Sequence, residues 1–201
     1  MFGDIQATRR NLPHWTRADS ATTYWVTFRL ADSIPQEKLR AFAAERDVWM
    51  TEHLEPWDAD TRTAYRERFP ARMETWLDAG YGSRALARED VRDVVAECLT
   101  RFEGERLLLP AAVVMPTHVH ALIAPLGGQA LSSLLRGIKG ASARGANRVL
   151  GHSGVFWLDE SYDRIVRDES ECAAFVRYIA DNPVRAGLRA DEYWLRLPKE
   201  E

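Results

Sequence analysis

The spacing of apolar residues along this chain changes several times, and each change marks a different kind of element. Residues 23–30, TYWVTFRL, combine β-branched and aromatic side chains and predict a strand. From residue 33 to about 105 the apolar spacing becomes three and four residues. There PQEKLRAFAAERDVWMTEHL and REDVRDVVAECLTRF predict amphipathic helices, the second with Val91, Val94, Val95, Cys98, Leu99 and Phe102 on one face. Gly80, Gly82 and Ser83 mark a turn between them. At Arg106 the pattern reverts, and RLLLPAAVVM and HVHALIAP predict two strands joined through Pro116 and Thr117. Residues 131–150 predict a helix with Leu131, Leu134, Ile138, Ala141 and Val149 on its apolar side. A short strand at 162–166 precedes a helix at 168–182, whose first turn carries Asp168, Glu169 and Glu171. Pro183 is expected to end that helix.

With the extra helices set aside, the order is βαββαβ. That order implies an α+β fold, a ferredoxin-like split βαβ sandwich with a four-stranded antiparallel sheet. The helical segment at about 33–105 is then an insertion after the first strand, within a single domain over 1–201. No Pro/Gly/Ser-rich linker, internal repeat or low-complexity segment divides the chain. The polar start, with LPHW at 12–15, is expected to form an ordered arm or loop.

Composition narrows the function. A chain of 201 residues with 46% hydrophobic and 28% charged residues has enough apolar material for a real core. The first ten residues lack the apolar centre of a signal peptide. The longest apolar run, residues 107–115, is interrupted by Pro110 and far too short to span a membrane. Two cysteines, Cys98 and Cys172, make no disulfide framework and are expected as reduced thiols in a cytoplasmic protein. The net charge of −3 argues at first against nucleic acid. It is an average, however. Residues 32–105 carry an acidic excess, while the remainder is mildly basic, and the helix at 131–150 holds Arg136, Lys139, Arg144 and Arg148 with no acidic residue. Arg164 and Arg167 add charge just before the last helix. These six residues form a candidate surface for tracking a phosphate backbone.

Chemistry enters with His118 and His120. Residues i and i+2 of a strand share a face, so both imidazoles can reach one divalent cation, with Val119 turned to the opposite side. Taken alone, the pair reads equally well as two strand histidines. A second element is YIADNP, where Tyr178 and Asn182 lie one turn apart on one helix stripe. That stripe borders an apolar side formed by Cys172, Ala173, Phe175, Val176, Ile179 and Ala180. A phenol with its ordinary pKa near 10 is a poor nucleophile at neutral pH. It becomes a useful one where a cation stabilises the charge that develops on a phosphodiester. Ligation by two imidazoles and the Asn182 amide oxygen suits Mg²⁺ or Mn²⁺.

The blocks MPTHVHALI, IKG, FWLDESYDRIVRDE and YIADNPVRAGL, in this order from residue 115 to 188, resemble the REP-associated tyrosine transposases of the single-tyrosine HUH superfamily. TYWVTFRLADSIP and LDAGYGSRAL extend the likeness more loosely. The resemblance implies a metal-dependent transposase with a C-terminal catalytic helix. It would nick and rejoin single-stranded or hairpin DNA through a 5′-phosphotyrosine link, without a nucleotide cofactor, as a monomer or a homodimer. It makes Tyr178 the nucleophile and His118, His120 and Asn182 the metal ligands, and it places Lys139 nearest the scissile region. Thr117, Leu158 and Arg84 depart from the family, which commonly has Asn, Gln and Cys there. Alternatives from other classes are a DNA-binding protein that no longer cuts, an RNA-binding split βαβ module and a generic metal hydrolase. His14, Trp15 and Trp157 are further candidates for DNA contact, each with an equally good structural role.

Overall fold

The structure is a computed structural model that describes residues 6–10, 12–16 and 22–198, the first two stretches as backbone alone. It divides into two compact units, one of the chain up to Ala31 and from Ala85 onward, the other of Asp32–Arg84. In chain order the strands and helices are β1 (Gln6–Arg10), β2 (Leu12–Thr16), β3 (Tyr24–Arg29), α1 (Gln36–Glu52), α2 (Ala59–Arg68) and α3 (Pro70–Asp78). There follow α4 (Glu89–Thr100), β4 (Leu107–Val114), β5 (His118–Pro125), α5 (Leu131–Leu150), β6 (Tyr162–Ile165), α6 (Glu169–Arg185) and β7 (Trp194–Arg196). The predicted helical stretch is therefore split: α1–α3 make the smaller unit, and α4 packs in the larger one. No helix of the described residues is long and apolar enough to cross a membrane.

The larger unit is built on a five-stranded sheet in the order β6-β3-β5-β4-β7, with every pairing antiparallel. β3, β4, β5 and β6 are the four strands expected of a ferredoxin-like split βαβ arrangement. The fifth, β7, is a correction to the expected count. Three residues are too few to show a period, yet Trp194–Arg196 pairs with residues 112–114 and covers an edge that would otherwise stay open. The β4–β5 register slips between Leu108 and Ala111, where Pro110 has no N–H to give the ladder. The polar start forms a two-stranded ribbon of β1 and β2; the side chains of His14 and Trp15 lie outside the described residues.

Alternation along the strands sends side chains to two different cores. Tyr24, Val26, Phe28, Ala112, Val114, Val119, Ala121 and Ile123 pack on one face against Val91, Val95 and Leu99 of α4 and Leu131, Leu134, Leu135 and Ile138 of α5. α4 and α5 approach closely at Gly145, where a Cβ would lie 2.5 Å from Val94 Cγ1. Trp157 belongs to this core: it is buried, meets Phe28 edge-on, and donates its indole N–H to Ser142 Oγ at 3.0 Å. Val149, expected on the apolar side of α5, is instead 37% exposed, because the buried stripe runs through Ser142 and Ala146 near that end. The other face carries Trp25, Ala111, Val113, Met115 and Leu122, covered by Ile179, Phe175 and Tyr178 of α6.

α6 starts where Asp168 accepts the Glu171 N–H at 2.8 Å. Pro183 does not end it, and the helix continues to Arg185. A proline near the last turn removes one backbone bond, and the bonds beyond it survive: Ala186 N–H reaches the Asn182 carbonyl and Leu188 N–H reaches the Pro183 carbonyl. Gly187, at φ 65°, then takes the left-handed conformation that turns the chain away. Ala173, expected on the apolar side, is exposed.

The smaller unit has its own aromatic core of Phe42, Trp49 and Phe69, with Trp57, Tyr65 and Trp76 packed on it. Asp58 caps α2 through the Thr61 N–H at 2.7 Å. Arg68 and Arg72 both hold Glu45 at 2.7 Å, and these bonds keep its carboxyl below the usual range.

Candidate active site

β5 delivers His118 and His120 to the α6 face, as their i, i+2 spacing requires. Both are buried, and their ring centroids stand 4.6 Å apart at 74°. Each has its Nδ1 at a threonine hydroxyl: His120 at 2.8 Å from Thr27 Oγ1, its cross-strand partner on β3, and His118 at 2.9 Å from Thr117 Oγ1. With Nδ1 oriented in this way, Nε2 is the nitrogen each ring has for a ligand. Thr117, one of the departures from the family pattern, thus has a definite contact.

An aromatic stack joins this pair to α6. Trp25 lies against His120 at 5.0 Å and 20°, and Phe175 lies against Trp25 at 4.4 Å and 15°. Tyr178 stands edge-on to both Trp25 and His120, at 5.4 and 5.5 Å. The tyrosine is half-buried, as the border position on its helix predicts. One turn further on the same stripe, Asn182 is 1% exposed, and neither its amide oxygen nor its amide nitrogen has a hydrogen-bond partner among the described residues. A buried amide in that state forgoes about 1–3 kcal/mol. Such a cost is tolerated where the oxygen serves a ligand.

Of the predicted site residues, His120 meets both His118 and Tyr178 through its ring, and Asn182 sits on the Tyr178 stripe. The basic residues are dispersed. Arg136, Arg144 and Arg148 are exposed on α5, which packs on the opposite face of the sheet. Lys139 is half-buried and donates to the Leu158 and Asp159 carbonyls at 2.8 and 2.7 Å and to Ser161 Oγ at 3.2 Å. Burial draws its pKa down to about 8 against the opposing pull of Asp159 and Glu160. Arg164 is on the site face, in register with Trp25, but is held by the Glu171 carboxylate and lies over the Phe175 ring. Arg167 is exposed, and its backbone N–H bonds Glu171.

Three side chains at the site escaped sequence reasoning. Arg29 is the cross-strand partner of His118 and is 8% exposed; burial lowers its pKa to about 10, with Glu160 opposing. Thr27 orients His120. Both depend on the β3–β5 register, which no local pattern reveals. Arg185, whose guanidinium lies 5.2 Å from the Tyr178 ring centroid, was hidden by the expectation that Pro183 stops the helix. Cys98 and Cys172 are free thiols, and burial raises both, the opposite of what a thiolate nucleophile needs.

No family model and no curated protein matches the chain. Solved structures similar to it include the following two. One is a REP-associated tyrosine transposase bound to a REP hairpin, with TM-score 0.48 and 16% identity over 88% of this chain and 74% of that one. The other is the crystal structure of a protein assigned as a transposase from Deinococcus radiodurans R1, with TM-score 0.35 and 16% identity over 83% of this chain and 95% of that one.

Proposed function

We propose that this protein is a DNA strand transferase of the transposase type, cutting and rejoining single-stranded or hairpin DNA through a covalent bond to Tyr178. The observation that carries this reading is the edge-on contact of Tyr178 with His120, which joins the two chemical motifs of the sequence in one place. The donor set fits a divalent cation. His118, His120 and the unpartnered amide of Asn182 would hold Mg²⁺ or Mn²⁺. When bound, such an ion would supply positive charge to the oxygens of the phosphate whose phosphorus is attacked.

The chain's own residues do the rest. Trp25 and Phe175 fix the plane of His120 and the approach of Tyr178. Tyr178 Oη attacks phosphorus, so that an Oη–P bond forms as the P–O3′ bond breaks. The phenol proton passes to water, and the departing 3′-oxygen takes a proton from water. Re-attack by a 3′-hydroxyl restores a phosphodiester and frees the tyrosine. One ester bond replaces another at each step, so no nucleotide is consumed.

Arg136, Arg144 and Arg148, behind the sheet, would in this reading contact flanking DNA and not the scissile phosphate. An RNA-binding split βαβ module would need aromatic side chains open on its central strands, whereas Trp25 is buried beneath α6. The test is a denaturing gel of the protein incubated with single-stranded hairpin DNA and Mg²⁺ or Mn²⁺. A shifted covalent species is expected, absent in Tyr178→Phe and absent with a chelator. An adduct that persisted in Tyr178→Phe would overturn the nucleophile, and one that persisted with chelator would overturn the metal.

A further inference from the structure

We propose that Arg185 is a catalytic residue that grips the phosphate attacked by Tyr178; this rests on the strand-transferase reading above. Arg185 is the last residue of α6 and lies seven positions after Tyr178. At 100° per residue that is within about 20° of a whole number of turns, so both side chains rise from one stripe, with Asn182 between them. The contact confirms the spacing: the guanidinium carbon is 5.2 Å from the centre of the tyrosine ring.

Arg29, Arg164 and Arg185 all lie on this side of the sheet, and they differ in what they are free to do. Arg164 is tied to Glu171. Arg29 is buried and faces Glu160. Arg185 is exposed and makes no ion pair among the described residues, Asp181 one turn before it included; Glu169 and Glu171 are at the opposite end of α6. Its resting place is the face of the proposed nucleophile's ring. That contact holds the group at the reaction centre before substrate arrives, at little cost in entropy.

The chemistry of a guanidinium suits the position. Its planar fork offers paired N–H donors that match two oxygens of one phosphate, which an ammonium cannot do. In transfer to Tyr178 the Oη–P bond forms while P–O3′ breaks, and negative charge builds on the non-bridging oxygens. A donor aimed there is stronger in the transition state than in the ground state. A purely structural role, as a positive charge at a helix C-terminus, would ask only for the charge.

The experiment compares the full-length wild type, Arg185→Gln and Arg185→Lys with hairpin DNA and Mn²⁺ in single-turnover adduct formation. Binding of the same DNA is measured in the Tyr178→Phe background with and without Arg185→Gln, and melting temperature and Mn²⁺ binding report the fold. Arg185→Gln is expected to slow adduct formation about 100-fold, with Mn²⁺ binding kept and DNA affinity reduced less than tenfold. Arg185→Lys, which preserves the charge and the helix end, is expected to recover only part of the rate. A wild-type rate in either variant would overturn the assignment of Arg185 while leaving the transferase reading intact. No adduct in the wild type would remove that reading, and the role of Arg185 with it.

Discussion

The two faces of the sheet are made by the same strands, residue by residue, and yet they are built for different ends. On the α4–α5 face β5 contributes Val119, Ala121 and Ile123, all fully buried among apolar partners. On the α6 face the same strand contributes His118, His120 and Leu122, with Thr27 and Arg29 beside them on β3. Burying imidazole, hydroxyl, guanidinium and an unpartnered amide is costly, and an aliphatic face of equal volume would be more stable. The apolar face therefore supplies the stability that lets the other face keep its polar groups. A side chain's role follows from the parity of its position along the strand.

If that division is right, substitutions on the two faces should fail differently. The largest stability effect is expected from Ile123→Ala, which removes fully buried methyl groups opposite α4 and α5 and should cost about 2–5 kcal/mol. Denaturant unfolding measures it, and Mn²⁺ binding by the folded fraction should not change. A loss below about 1 kcal/mol would mean that this face is not the one that holds the fold together.

The mirror experiment is Thr27→Val, a nearly isosteric change on the site face. It strips the hydroxyl from His120 Nδ1 and should cost only about 1 kcal/mol of stability. Its main effect should be on ligand geometry, lowering Mn²⁺ affinity about 10–100-fold, with Thr27→Ser close to wild type. Titration calorimetry decides it. An unaltered isotherm would show that the hydroxyl does not orient the imidazole.

Much of this contrast was legible in the sequence, and the exceptions have physical causes. Strand periodicity placed Val119 and the histidine pair on opposite faces, and helical periodicity placed Tyr178 at the edge of a buried stripe. Both are local signals. Thr27 and Arg29 could not be identified as neighbours of the histidines, because cross-strand register is set by the whole sheet. The expected end of α6 at Pro183 treated a local preference as decisive, although the last turn of a helix has few bonds left to lose. Helical spacing alone gathers the basic residues of α5 on one side of that helix, whereas the order of layers, with the sheet between α5 and α6, is a property of the whole fold.

Within α5 itself, Lys139 differs from Arg136, Arg144 and Arg148, and this gives the smallest and most specific test. The three arginines are exposed, whereas the lysine is drawn into acceptors on residues 158–161. Its pKa falls from 10.5 to about 8, chiefly because burial disfavours the charged form. Between those two values the unfolded chain holds the proton and the folded chain has released it. The unfolded state therefore binds more protons, and stability should rise with pH across that window. Below about pH 8 the lysine is protonated in both states, and its charge is a standing cost to the fold. Lys139→Met removes the titration and serves as the reference. The difference in unfolding free energy between wild type and Lys139→Met should move in favour of the wild type from pH 8 to 10.5, and the matched comparison at Arg144→Met should stay flat. A flat profile for both would place Lys139 in solvent with its neighbours, and the distinction between the core side and the wet side of α5 would fail at that residue.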